Sequence, residues 1–216
     1  MALAAFAIAD ETVTWLARDI YAARVAAYTS AYLSAAQAAG ATPPDGWRPS
    51  DATLTALATS AFTAARQIAA TYHDDLEHAA AGMVDDWITT YPDAGGATGP
   101  VERELAARVK AWADERAAWK AQQVGQYETA QAAHTATQDA ANDLTDGTLT
   151  GADGAAVDTS ALQVAVLPAS SSGDYCAGFA GQVFAFDDAP AIDLPAHPFC
   201  VHYWVVIGPD GFKEEL

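Results

Sequence analysis

Basic residues are scarce in this chain. Ten Lys and Arg stand against 28 Asp and Glu in 216 residues, a formal net charge of −18. A surface of that sign repels phosphate backbones, so direct or sequence-specific contact with nucleic acid is not expected. A basic partner protein, or solubility alone, fits better. The acidic residues are dispersed, without the like-charge blocks of a disordered tail. Cysteine is scarcer still, at two residues. In the reducing cytosol expected for folding, two cysteines favour thiols or a bound metal over a disulfide. Long apolar runs are missing too: none approaches the roughly 20 residues a membrane helix needs, so no membrane partner is expected. The opening Met1–Ala9 is apolar but lacks a basic n-region, and Asp10 and Glu11 follow at once. It reads as the lead-in to a helix rather than an export signal.

Alanine dominates what is there. Half the chain, 51%, counts as hydrophobic, but alanine favours helix while burying little area per residue. The core must therefore lean on Leu, Val, Ile and the aromatics, among them six Trp and eight Tyr. Val13, Leu16, Ala17, Ile20, Tyr21, Tyr28, Ala31, Tyr32 and Ala35 recur at helical steps from about Asp10 to Ala39, where Gly40 and Pro43-Pro44 stop the pattern. A second stripe opens at Ser50-Asp51, either of which can cap a helix, and runs past Trp87 to Pro92, with Gly82 as a weak point. A third begins at Gly99-Pro100, carries Leu105, Val109, Trp112, Trp119 and Tyr127, and reaches about Asn142. Three helices of this length with two modest connections predict an elongated antiparallel bundle.

The composition then changes. Residues 146–160 are rich in Gly and Asp and read as a flexible linker. Strand character follows at Leu162–Leu167, Val183–Phe186 and Tyr203–Ile207, with a turn signal at Pro209-Asp-Gly211. The expected class is α+β: a helical domain over 1–145, the linker, and a small C-terminal domain over 161–216. A unit of that size needs a staple or a partner surface.

Both cysteines and two of the five histidines fall in this last unit. Cys176, His197, Cys200 and His202 offer two thiolates and two imidazoles, the ligand set of a closed structural zinc site. The same residues also read as a buried cysteine pair with satisfied histidines, or as a disulfide. A cysteine hydrolase is the enzymatic alternative, because Asp174-Tyr-Cys176-Ala-Gly-Phe179 resembles the nucleophile segment of NlpC/P60-type peptidases and His202 would serve as base. Spacing argues against it. Only 26 positions separate Cys176 from His202, and Pro190, Pro195 and Pro198 interrupt them.

Cys176, Gly181-Gln-Val-Phe184, Pro190, Pro195, His197-Pro-Phe-Cys200 and Tyr203-Trp204 together resemble the carboxyl-terminal signature of the phage Mu F-like minor head proteins, also called phage head morphogenesis proteins. That pattern has a Cys or CxxC pair, a Gly with an extended Val-Phe-like segment, and a Pro-rich loop into His-Pro-x-Cys-x-Cys. Tyr127-Glu128-Thr129-Ala130 sits where family members carry a Thr-Glu pair, in altered order. The resemblance covers about Trp119 to Ile207. Phe179 stands in place of a second cysteine, and His202 in place of the last, a change that keeps a zinc ligand where the other loses one.

The resemblance implies a structural, non-enzymatic protein of the tailed-phage head. Its partners would be the portal protein or the major capsid protein, it would occur in several copies per particle, and its helices would act as a docking arm. It would sit in the virion near the portal, and in the host cytoplasm during assembly. A host-interaction factor reusing the same small domain is a third reading. Glu128 itself reads as a solvated helix charge.

Overall fold

The computed structural model describes residues 10–90, 98–167, 178–188 and 200–209, with side chains in the third helix from Arg103 onward. Three long helices, α1 (Asp10–Ala38), α2 (Asp51–Thr90) and α3 (Thr98–Thr145), precede three short strands, β1 (Gln163–Leu167), β2 (Val183–Ala185) and β3 (Tyr203–Ile207). The helix and strand positions follow the periodicities closely. Gly82 does not interrupt α2, which continues through it to Thr90.

Local chemistry sets the helix ends. Gly40, at φ +72°, ends α1: its N–H donates to Gln37 O at 3.0 Å, and the Ala41 N–H donates to Ala36 O at 2.9 Å. This pair of bonds is a Schellman motif, which needs the left-handed residue glycine supplies. At the start of α2 the Ser50 hydroxyl accepts the Thr53 N–H at 3.0 Å, so Ser50 rather than Asp51 is the cap.

The helices run up, down and up. Arg24 meets Gln131, Tyr28 meets Asp139 and Tyr32 meets Asp143, so α1 and α3 ascend together. Tyr72 donates to the Ala113 carbonyl at 3.0 Å, and Asp75 pairs with Arg116 at 3.2 Å and Lys120 at 3.0 Å across the α2–α3 hairpin. The hydrogen bond from Lys120, more than the one from Arg116, holds the Asp75 carboxyl below the usual carboxylate range.

Alanine lets α1 and α3 approach closely. Ala35, Ala36 and Ala39 share one buried cluster with Ala132, Ala136 and Ala140. Small residues bury little area each, and the aromatics supply the rest. Tyr28 and Tyr32 are buried in this cluster, and Tyr32 stacks on Trp47 with ring centroids 4.1 Å apart. Their hydroxyls donate to Asp139 and Asp143. Burial first, and the adjacent carboxylates second, push both phenols well above the ordinary tyrosine range.

The sheet has β1 at its centre, antiparallel to β2 on one side and β3 on the other. It does not keep a core to itself. Leu162, Val164, Val166, Cys200, Trp204 and Val206 belong to the same buried cluster as Tyr28, Tyr32 and Leu144 of the helices. Thr137 of α3 donates to the Trp204 carbonyl at 2.9 Å. Where β3 ends, Gly208 lies so close to the last turn of α1 that a Cβ there would come within 2.0 Å of the Ala38 carbonyl oxygen. The helices thus provide the surface that a small sheet needs.

The stretch expected to be a flexible linker is ordered against the bundle. Leu149 is buried, Thr42 N donates to Thr150 O at 2.9 Å, and isolated bridges join Ala41 to Gly151 and Thr150 to Ala156. Its aspartates close local turns, with Asp146 accepting from Thr148 N and Asp153 from Ala155 N. Glycine and aspartate here signal tight turns rather than freedom.

Candidate functional site

Extended backbone alternates its side chains, and the approach to β3 uses that alternation fully. Cys200, His202, Trp204 and Val206 are buried, whereas Val201, Tyr203 and Val205 are half-buried. His202 therefore points inward, on the same side as Cys200. The Cys200 Sγ and His202 Nδ1 lie 3.5 Å apart at 2% and 3% exposure. That separation suits a thiol–imidazole hydrogen bond. It also equals the roughly 3.6 Å between a sulfur and a nitrogen bound tetrahedrally to one zinc ion. Cys176 and His197 lie outside the described residues. Among the described residues no group of three or more His, Cys, Asp and Glu is placed to hold a metal.

A charged pair lies nearby. Glu128 is not a solvated helix charge: it is 4% exposed, and so is Arg24 of α1. The Arg24 Nε donates to a Glu128 oxygen, and its Nη2 donates to Gln131 Oε1 at 2.7 Å. Burial lifts the Glu128 carboxyl above the usual range, against the pull of the Arg24 charge and hydrogen bond. The Tyr127 phenol is raised by burial, then by Glu128; Arg24 opposes this and Cys200 adds to it. These four groups therefore share one neighbourhood between α1, α3 and the approach to β3.

Sequence reasoning passed over Arg24, His134 and Thr137, all buried. A signal for Arg24 exists. It occupies the four-residue series Ile20, Arg24, Tyr28, Tyr32, so a cation stands within an apolar stripe. A charge on such a face needs a buried partner. The alanine-rich α3 pattern offers no comparable signal for His134 or Thr137.

Beside this cluster an open cleft of about 640 Å³ runs between α1, α3 and β3, with Ala31, Ala35, Ala130, Ala133, Tyr203 and Trp204 in its walls. Neither Cys200 nor His202 lines it. No helix among the described residues is long and apolar enough to cross a membrane. Comparison with protein-family models, curated proteins and solved structures gives no match.

Proposed function

We propose that this chain is a structural minor head protein of a tailed bacteriophage, which docks on the portal or the inner capsid and assists head assembly or DNA delivery. One observation carries this reading: those residues of the head-protein resemblance that the structure describes do architectural work. Gly181, at φ +75°, turns the chain into β2, and its N–H donates to the Val166 carbonyl at 2.9 Å. Cys200, His202 and Trp204 pack the approach to β3 into the helical core. The peptidase alternative, with Cys176 as nucleophile and His202 as base, meets a physical obstacle. The His202 ring is buried against Cys200 and does not line the cleft, whereas a general base must reach its proton donor and substrate.

Zinc belongs to the same proposal as a staple. Cys200 and His202 fit half of a tetrahedral site, and Cys176 and His197 would supply the remainder. Bound zinc would add folding energy where the approach to β3 meets the helices. The test is to locate the chain in purified particles of the phage that encodes it, by mass spectrometry and by labelling in electron micrographs. Signal at the portal vertex is the expected result, and absence from virions overturns the head-protein reading. Metal analysis of the purified chain separates the staple from it. About one equivalent of zinc is expected, and less than ~0.1 equivalent rejects the four-ligand site.

A further inference from the structure

The far half of the α2–α3 hairpin forms an arm beyond the described start of α1. Val13 and Leu16 of α1 pack beside Ile68 of α2. From Tyr72 onward α2 continues to Thr90, a rise of about 27 Å at 1.5 Å per residue. Over that length α3 alone accompanies it among the described residues. Apolar residues at heptad steps mark a seam: Leu76, Ala80, Met83 and Trp87 on α2, and Leu105, Val109 and Trp112 on α3. Of these Ala80 alone is buried, and the others are half-exposed. At the far end Arg108 lies over Trp87, 5.8 Å from the ring centroid.

The course of α1 indicates what covers the near end. α1 runs antiparallel to α2 and parallel to α3, and its apolar stripe meets them at seven-residue steps. Ile20 shares a cluster with Ala61, Ala64 and Ala65, and Val13 packs against it with Ile68 and Val124. One heptad before Val13 stands Phe6. The same step carries α2 from Ile68 to Asp75 and its neighbour Leu76. Two such steps carry α3 from Val124 back to Lys110 and its neighbour Val109. Continued at about 100° per residue, the α1 stripe takes in Phe6, with Ala2 and Ala9 beside it, and leaves Ile8 on the opposite side.

Composition points the same way. Residues 1–9 hold five alanines, with Leu3, Phe6 and Ile8, and contain no glycine, proline or charged side chain. Such a sequence favours helix. Residues 67–90 of α2 carry five acids and no Lys or Arg, and residues 98–120 of α3 carry four acids and five cations, so the arm is four charges negative. A second arm would bring the same charge and repel it, whereas an uncharged segment adds only apolar surface.

We infer that residues 1–9 of the same chain lie along the near half of this seam as the third helix of the arm, with Phe6 set against Leu76 and Val109. Nine residues of helix span about 13 Å, half the length of the arm. Three layers then enclose the near seam as they enclose the base. This inference is independent of the phage reading, since it needs only the helices.

The test is hydrogen exchange of the full chain, read by mass spectrometry on residues 72–81 of α2 and 105–112 of α3. Phe6→Ser is expected to speed exchange there on the order of tenfold or more, and Ile8→Ser to change it little. Phe6→Leu keeps an apolar side chain at the position and is expected to preserve the protection. Amides of residues 57–65, in the base, report that each variant is folded and are expected to stay as in the wild type. Equal effects of Phe6→Ser and Ile8→Ser overturn the inference, because they reflect lost apolar bulk rather than a docked face. Exchange in the wild type as fast as in Phe6→Ser also overturns it and leaves the seam to another protein. So does protection that rises with protein concentration and survives Phe6→Ser, which makes a second copy the cover.

Discussion

The two ends of the bundle are built differently. At the base, α1, the last turns of α3 and the three-stranded sheet share one cluster in which Leu149, Leu162, Val166 and Cys200 are almost fully enclosed. Buried polar groups there are matched in detail: Arg24 with Glu128 and Gln131, Tyr28 with Asp139, Tyr32 with Asp143, Thr137 with Trp204. The arm has a seam of the same residue types, but of these Ala80 alone is buried. Both regions are helical and apolar by stripe. What separates them is a third layer, which the base receives from its own chain and the arm does not receive from the described residues. Burial, and not helix propensity, therefore decides where this protein is stable.

If the base is held by matched buried groups, removing one member of a pair is the most damaging change. Arg24→Leu leaves Glu128 buried without its cation and is expected to cost about 3–5 kcal/mol. Arg24→Leu combined with Glu128→Leu is expected to cost less than the single change, because no charge is stranded. Chemical denaturation of the three proteins measures both. If the double variant proves the weaker, the pair is a net source of stability rather than a matched burial.

Close contact between sheet and helix gives the next effect. Gly208→Ala places a methyl against the Ala38 carbonyl and is expected to cost about 1–3 kcal/mol. The matching change in the arm, Gly82→Ala, meets nothing within 4 Å. It is expected to stabilise by about 0.5–1 kcal/mol, since alanine is the better helix former. Thermal melts that shift the same way for both would remove the distinction between base and arm.

A further effect appears at high pH. The Tyr28 and Tyr32 phenols are raised above the ordinary value of 10.0 in the fold. Unfolded chains then lose these protons first, so the contribution is complete below pH 10.0 and falls as pH climbs beyond it. Tyr28→Phe with Tyr32→Phe is expected to lower stability at neutral pH by about 1–3 kcal/mol and to flatten its alkaline decline. Denaturation midpoints recorded from pH 8 to 11 test this, and an unchanged slope would remove the two phenols from the account.

Much of the architecture was legible without coordinates. Helical repeats in Asp10–Ala38, Asp51–Thr90 and Thr98–Thr145, and the β-branched and aromatic runs at β1, β2 and β3, are local patterns that backbone geometry translates directly. The candidate site was legible only in part. Cys200 and His202 stand two apart on an extended segment, so their shared side follows from alternation, but which side faces the core depends on where α1 and α3 lie. The linker expectation erred for a related reason: glycine and aspartate mark turns, and whether turns are loose or docked depends on partners such as Ala41 and Thr42.

Composition and periodicity by themselves determined the acidic surface, the three helices, the strands and the residue types gathered near β3. Only the tertiary structure decided that the sheet shares the helical core, that Glu128 is buried on Arg24, and that His202 turns inward to Cys200. These depend on contacts between residues roughly a hundred positions apart, such as Arg24 with Glu128. Side-chain periodicity says which face of an element is apolar, but the partner that covers that face is set by the packing of the whole chain.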